Sequence, residues 1–266
     1  MEDALGAPLL ERVRGQVRLT SAGHAFLPHA EAVLAAIRDG KDAVRAATSK
    51  ESGSVSLAIV GTLADTYLVE ILRKFARRSS VADLNLRTAT SQEVSDLVRR
   101  GDVTLGLRYK ADTRGGLEAE IVSHENLRVI AAPDHPLKAR RLRPADIARQ
   151  RWIGFPVQRG RESSGAVLHQ RFAAMGIENV RMTLIDSLTA QKRLVQAGFG
   201  VAMVPESSVR EELRSRSLVA LDVPILRAKV PIALIYRRKG YLNAAARELA
   251  ALIGSANSAA MSAART

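Results

Sequence analysis

The sequence predicts an α/β fold with two similar lobes that follow a long helix. The first observation is an internal match: Leu97–Leu107 is LVRRGDVTLGL, and Leu194–Val204, 97 positions later, is LVQAGFGVAMV. Each copy is typical of a helix end, a left-handed glycine and a strand. The second observation is a hydroxyl residue, Thr90 or Ser187, where each helix needs an N-cap acceptor. Strand, cap, helix, glycine and strand form a βαβ unit, so we expect two Rossmann-like lobes with a cleft between them.

Length and composition limit the class of protein. With 266 residues the chain is long enough for more than one domain, and its lack of cysteine excludes disulfides and thiolate metal sites. No apolar run approaches the roughly 20 residues that span a bilayer. The N-terminus also lacks the basic and apolar regions of a secretory signal. We therefore expect a cytoplasmic protein with no membrane partner.

The formal net charge of +13 suggests a polyanionic partner. Residues 1–53, however, contain equal numbers of basic and acidic side chains, so the surplus belongs to the two lobes. Arginine greatly outnumbers lysine there and alanine is abundant, a pattern that codon composition produces without selection for nucleic acid. Solvated surface is therefore the favoured interpretation of most of this charge.

Residues 1–53 are predicted to form a hairpin and a long helix. Arg12–Leu19 alternates polar and apolar residues around Gly15, which is typical of a short hairpin. Thr20 and Ser21 open a helix whose apolar residues follow a heptad seam. The alternative is that this helix packs on the body of its own chain. The seam residues expected at a dimer interface are Phe26, Ala30, Val33, Ile37 and Val44.

The two lobes follow a polar linker at 48–54. The first lobe begins with a strand at 55–60, followed by an amphipathic helix through Phe75. Pro133 and Pro136 break the chain at the crossover into the second lobe. The later elements are predicted as a strand at 152–156, helices near 163–175 and 188–197, a return strand at 231–236 and a final helix at 242–253.

Several motifs carry a family resemblance. Leu5–Arg12 is LGAPLLER and Val17–Gly23 is VRLTSAG, which together resemble the end of the winged helix-turn-helix of LysR-type transcriptional regulators. Ala132–Leu137 (APDHPL) and Val195–Pro205 (VQAGFGVAMVP) resemble the effector domain of the same family. The resemblance covers nearly the whole chain. It implies that the lobes have the fold of type 2 periplasmic binding proteins and that a small-molecule effector binds between them.

Two departures from the family pattern stand out. Only four residues precede Leu5, whereas the helix that reads the major groove lies before this motif in the family. We therefore expect the DNA module to be truncated to a remnant that contains the wing hairpin. Thr104 is the second departure, because the family often has Asp before this strand. The resemblance implies that the wing contacts DNA, and the alternative is a solvated hairpin face. The wing arginines are Arg12, Arg14 and Arg18.

These boundaries define the predicted domains. Residues 1–20 are the winged helix-turn-helix remnant, 21–53 the linker and dimerisation helix with its hinge, and 54–254 the effector-binding domain. Within the effector-binding domain, lobe 1 covers about 54–131 plus 232–254, and lobe 2 covers about 132–231. Residues 255–266 are small and polar, and we expect a disordered tail there.

The candidate effector site lies where strands turn into helices. Thr62, Thr90 and Ser187 occupy three such junctions, and converging helix N-termini favour a carboxylate or a similar anion. The alternative is that each hydroxyl only caps its own helix. Arg108 either pairs with an acidic group of the ligand or lies on the surface. The remaining predicted effector-binding residues are Leu63, Ser91 and Gln158.

The sequence offers little support for catalysis. The five histidines are scattered, and no metal-binding His pair, P-loop or Gly-x-Ser-x-Gly elbow occurs. We therefore expect no enzyme activity, cofactor or metal. The predicted function is a DNA-binding regulator of the LysR family, a homodimer or homotetramer, in which an effector shifts the population of lobe closures. The alternative is a stand-alone small-molecule binding domain without DNA-binding activity.

Overall fold

The structure, a computed structural model, describes residues 1–48, 53–64, 68–78, 83–138, 142–156, 164–177 and 180–263. The helices are α1 (Glu2–Leu5), α2 (Ser21–Thr48), α3 (Gly61–Ala64), α4 (Leu68–Arg78), α5 (Ser91–Arg99), α6 (Pro144–Ala148), α7 (Ser164–Ala174), α8 (Leu188–Gln196), α9 (Arg210–Arg214) and α10 (Ala244–Ala263). The strands are β1 (Leu10–Val13), β2 (Gln16–Leu19), β3 (Val55–Val60), β4 (Leu84–Ala89), β5 (Leu105–Tyr109), β6 (Leu117–Ala131), β7 (Arg151–Gly154), β8 (Arg181–Leu184), β9 (Val201–Pro205), β10 (Val219–Leu221) and β11 (Ala228–Arg237). Short 3-10 turns lie at Arg114–Gly116, Glu206–Val209 and Pro224–Leu226.

The N-terminal hairpin and the long helix form as predicted. Strands β1 and β2 pair in antiparallel fashion. Arg14 and Gly15 join them with φ angles of 50° and 80°, the left-handed conformation that tight hairpin turns need at both central positions. The Thr20 hydroxyl accepts a hydrogen bond from the Gly23 N–H at 3.0 Å, which caps α2 just before its first residue, Ser21.

One continuous sheet contains both copies of the internal repeat, so the two-lobed α/β fold is confirmed. The strand order is β4-β3-β5-β11-β6-β9-β7-β8, and β10 pairs with β6. The β4-α5-β5 unit lies in the parallel half of lobe 1, and the β8-α8-β9 unit lies in the parallel half of lobe 2. Antiparallel β6 and β11 join the halves.

The register along β6 brings the carboxyl ends of the two parallel halves face to face. Tyr109, the last residue of β5, lies opposite Ile232, which pairs with Ser123 of β6. Pro205, the last residue of β9, lies opposite Leu127 of the same strand. Four residues of β6, about 13 Å at the rise of a strand, therefore separate the two ends. This gap is the cleft between the lobes.

Helices α5 and α8 cover equivalent faces of the two lobes. Under α5, Val94 and Val98 pack against Ala58 and Ile235 in one buried cluster. Under α8, a second cluster contains Val195, Ala202 and Val204. A larger cluster on the opposite face of the sheet contains residues from both lobes, such as Leu57, Leu107, Trp152, Met203 and Leu234. Burial of these apolar faces holds each repeat on its part of the sheet.

The C-terminal segment differs from its prediction. The sequence predicts a disordered tail from Ser255, but α10 continues to Ala263. No glycine or proline follows Gly254, and alanine is the strongest helix former. Extending an existing helix needs no new nucleus, so this alanine-rich stretch continues α10.

Candidate functional site

Thr62 ties together the ends of two strands of lobe 1 that border the cleft. It lies in α3, directly after β3, and its hydroxyl lies 3.0 Å from the Tyr109 hydroxyl at the end of β5. The neighbouring Leu63 is fully buried in the main core cluster. Its side chain therefore packs in the core, and the effector contact predicted for Leu63 stays a prediction.

Thr90 caps α5 through a reciprocal pair of hydrogen bonds. Its hydroxyl accepts from the Glu93 N–H at 3.4 Å, and its own N–H donates to the Glu93 carboxylate at 2.9 Å. This capping box fixes the first turn of α5 at the carboxyl end of β4. The capping interpretation of Thr90 is therefore confirmed, and it is compatible with ligand binding at the same turn.

Ser91 has an unusual environment in that first turn. It is only 1% exposed, and it shares the buried face of α5 with Val94, Ser95 and Val98. Among the residues that the structure describes, no hydrogen-bond partner reaches its hydroxyl. A buried hydroxyl without a partner costs about 1–3 kcal/mol, so an additional hydrogen-bonding group at this position would be stabilising.

Arg108 is neither on the surface nor available as a free cation. It is 2% exposed, forms an ion pair with Asp112 at 3.0 Å and donates to the Ser95 hydroxyl at 2.9 Å. Asp112 also lies 3.5 Å from Arg99 and 2.9 Å from Arg114. The surface alternative for Arg108 is therefore wrong, and its charge is already balanced inside lobe 1.

The pKa of Asp112 reflects this cluster. Burial alone raises the pKa, but hydrogen bonds from Arg114 and Ser95 and the charge of Arg108 outweigh that effect. Together they hold the pKa of Asp112 well below its usual range. The cluster anchors Ser95, and therefore α5, to the end of β5, which keeps the first turn of α5 beside the cleft.

Lobe 2 contributes Ser187 at the N-terminus of α8. The Ser187 hydroxyl accepts from the Ala190 N–H at 3.3 Å, so its predicted capping role is confirmed, and the residue is exposed. Behind it, Gln191 is fully buried and donates to the Ile185 carbonyl at 2.7 Å. The Gln191 amide oxygen has no hydrogen-bond partner among the described residues. Gln158 lies outside the described residues.

Sequence reasoning missed a carboxylate at the floor of the cleft. Glu125 lies on β6 between Ser123 and Leu127, and it is 6% exposed. Its carboxylate accepts hydrogen bonds from the Ser207 N–H at 3.2 Å and from the Ser207 hydroxyl at 2.6 Å. Burial raises the pKa of Glu125, although these hydrogen bonds oppose the change. An isolated acid inside the apolar-flanked run SHENLRVIAA was the available signal.

The hairpin places its three arginines on different surfaces. Arg12 lies opposite Val17, and Arg18 lies opposite Glu11, so Arg12 and Arg18 point to opposite faces of the hairpin. Arg14 lies at the tip, and all three arginines are exposed. A partner that binds one face of the hairpin could therefore contact Arg14 together with either Arg12 or Arg18, but not all three arginines.

Three of the five predicted seam residues of α2 face away from the rest of the chain, whereas Phe26 and Ala30 are half-buried. Val33, Ile37 and Val44 are 60%, 53% and 64% exposed. The other face of the helix contacts lobe 1, where Ala35 is 3% exposed. Both predicted roles of α2 are therefore compatible, because they use opposite faces of one helix.

Across the described ranges, no group of three or more His, Cys, Asp or Glu side chains could hold a metal ion. None of the helices in the described part of the chain is long and apolar enough to cross a membrane.

Comparison with known proteins identifies relatives of this chain. The model of the LysR substrate binding domain matches residues 48–258. The RuBisCO operon transcriptional regulator of Allochromatium vinosum is 27% identical over 247 residues, which cover 92% of this chain and 80% of the relative. The HTH-type transcriptional regulator CbbR of Xanthobacter flavus is 31% identical over 238 residues, 85% of this chain and 69% of the relative.

A solved structure extends the similarity to most of the chain. The crystal structure of CbnR, a LysR family transcriptional regulator, is 26% identical and superposes with a TM-score of 0.65. The superposition covers 96% of this chain and 86% of CbnR. Full-length CbnR complexed with its target DNA gives a TM-score of 0.64 at the same identity, over 95% of this chain and 85% of that one.

Proposed function

This chain belongs to the LysR family of transcriptional regulators, and we propose that it senses a small anionic effector at the first turn of α5. The proposal depends on one observation: the buried Ser91 hydroxyl has no hydrogen-bond partner among the described residues. It lies at a helix N-terminus, where free N–H groups and the helix dipole favour an anion. A carboxylate or phosphate oxygen would accept from Ser91 and from these N–H groups.

The cleft geometry supports the same proposal. Thr62 and Tyr109 border the turn from lobe 1, and Ser187 faces it from the first turn of α8 in lobe 2. A ligand held by both lobes would favour the closed arrangement, and the size of that shift is set by its difference in affinity for the open and closed states.

Site variants test the effector proposal. A thermal-shift screen with small carboxylates and phosphate esters would identify a ligand, because a molecule that binds the folded state raises its stability. We expect Ser91→Ala to weaken binding of that ligand about tenfold, as loss of a hydrogen bond to a charged group costs about 1.5–3 kcal/mol. Thr90→Asp should weaken it further, because Asp caps a helix well but repels an anion.

A control variant tests whether Thr90→Asp acts through a charge beside the ligand or through any charge added at a helix N-terminus. Asn243 caps α10 by accepting from the Ala246 N–H at 2.8 Å. It follows β11, whose carboxyl end lies at the edge of the sheet away from the cleft. Asn243→Asp adds the same charge to a helix N-terminus, and it should leave ligand affinity unchanged. If Thr90→Asp and Ser91→Ala both retain the parent affinity measured by calorimetry, the site is elsewhere.

We also propose that α2 mediates dimer formation through its seam. The exposed side chains of Val33, Ile37 and Val44 follow a heptad pattern, which suits a second helix of the same kind. Replacing Val33 and Ile37 by Asp would bury charge in that interface, which is unfavourable without a partner. We expect a lower mass in sedimentation, while the control pair Ala25→Asp and Ala32→Asp keeps the parent mass. Equal masses for all three proteins would contradict the seam.

DNA is the proposed partner of the hairpin. CbnR has been solved with its target DNA, and the tip of the hairpin here presents Arg14 to solvent. Each phosphate contact adds about 0.9 to the slope of log affinity against log salt concentration. Arg14→Gln should therefore lower this slope by about 0.9, whereas Lys74→Gln on exposed α4 should not change it. Filter binding with a promoter duplex measures both slopes, and equal slopes would contradict a phosphate contact.

A regulator of this kind acts on DNA, so we propose a cytoplasmic location.

A further inference from the structure

The linker helix docks on lobe 1 at a single, well-defined surface. In α2, Ala35 is buried beside Gly101 of lobe 1, whereas the buried Gly23 packs against Leu9 and Leu19 of the N-terminal hairpin. Ala35 lies two positions from both Val33 and Ile37 of the seam, so it projects from the opposite face of the helix. Arg38 and Asp39 lie on the same side as Ala35 and contact lobe 1 through their charged groups.

Two ion pairs define this contact: α2 supplies the cation of one and the anion of the other. Arg38 donates to the Arg100 carbonyl at 2.7 Å and pairs with Asp102 at 2.9 Å. Its neighbour Asp39 pairs with Arg237 at the end of β11. The helix therefore presents a cation followed by an anion, and lobe 1 presents the complementary order. A slip of one residue along the helix would turn its side chains by about 100° and break both pairs, so the pairs favour one docking position. We call this contact the linker clasp: Ala35, Arg38, Asp39, Asp102 and Arg237.

Gly101 lets the clasp close. Its φ of +72° is left-handed, and a Cβ built there would lie 2.0 Å from Nη1 of Arg237 and 3.0 Å from the Cβ of Ala35. The helix and the turn are thus in direct contact. At the equivalent position of lobe 2, Gly198 has a φ of +78°, and nothing lies within 4 Å of such a Cβ. Lobe 1 therefore uses its copy of the turn for docking, and lobe 2 does not.

Helix α5 joins the linker clasp to the cleft. Its first turn carries Thr90 and Ser91, and its last turn ends at Arg100, whose carbonyl accepts from Arg38. The nine residues of α5 span about 14 Å at the rise of an α-helix. The capping box at one end and the Asp112 cluster beneath the middle fix the helix as one rigid element. A displacement of its first turn must therefore also move the turn at its other end.

We propose that the linker clasp couples the first turn of α5 to the orientation of α2, so that occupation of the cleft is transmitted to the linker helix. The proposal rests on the proposed function, which places the effector at that turn. Coupling of this kind is reciprocal: a change at the clasp must also alter the first turn of α5. This reciprocity allows a test without any ligand.

The first measurement asks whether the clasp holds α2. The chain has no cysteine, so Ala32→Cys on α2 and Lys74→Cys on α4 provide two exposed sites for spin labels. Dilution with unlabelled chain restricts the measured distances to one molecule. We expect a narrow distribution for the parent, a broader one for Arg38→Glu and for Asp102→Arg, and a narrow one again when both changes are combined. Arg45→Glu makes the same charge change two turns further along α2, where the side chain is 79% exposed, and should leave the distribution narrow.

The second measurement asks whether the clasp is coupled to the cleft. Arg38→Glu lies on α2, outside the effector-binding lobes, so its effect on α5 must pass through the clasp. We expect amide hydrogen exchange of residues 91–95 to become at least threefold faster in Arg38→Glu, to return towards the parent rate in the combined Arg38→Glu/Asp102→Arg variant, and to stay unchanged in Arg45→Glu.

Each outcome has one meaning. Unchanged distances in Arg38→Glu would show that α2 is not held by the clasp, which overturns the proposal. Broadened distances with unchanged exchange at residues 91–95 would show an anchor without coupling, which also overturns it. Failure of the effector site is a separate result, because that site is tested by ligand binding to the Ser91 and Thr90 variants.

Discussion

The two copies of the internal repeat have the same backbone conformation at the turn that ends each helix. They differ in the part of the chain that covers this turn. In lobe 1 the turn after α5 is charged and lies under α2, through Arg100, Gly101 and Asp102. In lobe 2 the turn after α8 is exposed, and Phe199 is 59% accessible. A left-handed glycine ends both helices, so that feature belongs to the βαβ unit itself. The charges around Gly101 are what adapt one copy to hold the linker helix.

The two lobes also differ in the burial of a paired carboxylate, Asp112 in lobe 1 and Glu212 in lobe 2. Asp112 in lobe 1 is surrounded by arginines and has a lowered pKa. The lobe 2 carboxylate Glu212 pairs with Lys192 at 2.6 Å. Burial raises its pKa, but the hydrogen bond from Lys192, a backbone hydrogen bond and the charges of Lys192 and Arg193 together outweigh burial and lower it. The Asp112 side chain, however, is only 1% exposed, against 19% for Glu212. The depth of burial therefore predicts unequal costs when each charge is removed.

The largest expected effect is the loss of the Asp112 charge. Asp112→Asn removes the carboxylate that pairs with the buried Arg108 at 3.0 Å, and breaking a buried pair in this way costs about 3–5 kcal/mol of unfolding free energy. The matched change in lobe 2, Glu212→Gln, removes a more exposed pair and should cost about 1 kcal/mol or less. Urea unfolding of both variants measures the difference. Equal costs would contradict the view that the arginine cluster anchors lobe 1.

The pH dependence of stability gives an independent check on Asp112. Because the pKa of Asp112 is lowered in the folded state, its contribution is fully present above the usual pKa of an aspartate, about 3.9, and is lost as the pH falls below it. The parent should therefore lose stability faster than Asp112→Asn between about pH 5 and pH 3. Thermal unfolding across that range measures how the stability of each protein changes with pH. Equal changes in the parent and in Asp112→Asn would show that Asp112 does not cause the loss of stability.

The second comparison replaces the glycines of the two turns. Gly101→Ala and Gly198→Ala both force a side chain into the left-handed region, at about 1–2 kcal/mol each. Only the Gly101 substitution also drives a methyl group into Arg237 and Ala35, which adds roughly 1–3 kcal/mol of overpacking. We therefore expect a larger fall in melting temperature for Gly101→Ala. Equal falls would show that α2 is displaced at no cost.

The features that sequence reasoning predicted are local ones. The N-caps at Thr90 and Ser187, the glycines after α5 and α8, and the hairpin turn each depend on residues within a few positions of one another. Hydrophobic periodicity in turn predicted the order of strands and helices. These signals are sufficient for the two-lobed fold.

The features that it missed depend on distant parts of the chain. Asp39 meets Arg237 across 198 positions, and Glu125 meets Ser207 across 82. Neither pair has a local pattern, because surface and buried charges look alike in a sequence. Arg108 shows the same difficulty: its partner Asp112 is four positions away, but only the packing of α5 over β5 shows that both are buried. Leu63, predicted beside Thr62, has its apolar side chain in the core, and that burial also depends on distant parts of the chain.

Glu125 offers a smaller effect of opposite sign to that of Asp112. Its pKa is raised by burial, so the folded state takes up its proton at a higher pH than the unfolded chain does. This contribution to stability therefore increases as the pH falls through the raised pKa, and a difference of one in pKa corresponds to about 1.4 kcal/mol. Glu125→Gln should remove that trend while keeping an acceptor for Ser207. Melting temperatures of both proteins between about pH 7 and pH 4.5 would measure this change of stability with pH. If Glu125→Gln shows the same change as the parent, another group causes it.

The smallest expected difference separates the two N-caps. Thr90→Ala removes one half of a reciprocal capping box, whereas Ser187→Ala removes a single hydrogen bond of 3.3 Å at an exposed position. An N-cap substitution of this kind costs about 0.5–2 kcal/mol. We expect Thr90→Ala at the upper part of that range and Ser187→Ala at the lower, measured by urea unfolding. The physical reason is that the Glu93 carboxylate, which accepts from the Thr90 N–H, is itself held in place by the cap that the substitution removes. A larger cost for Ser187→Ala would mean that the exposed cap of lobe 2 contributes more than the box of lobe 1. The first turn of α8, rather than that of α5, would then be the more firmly fixed edge of the cleft.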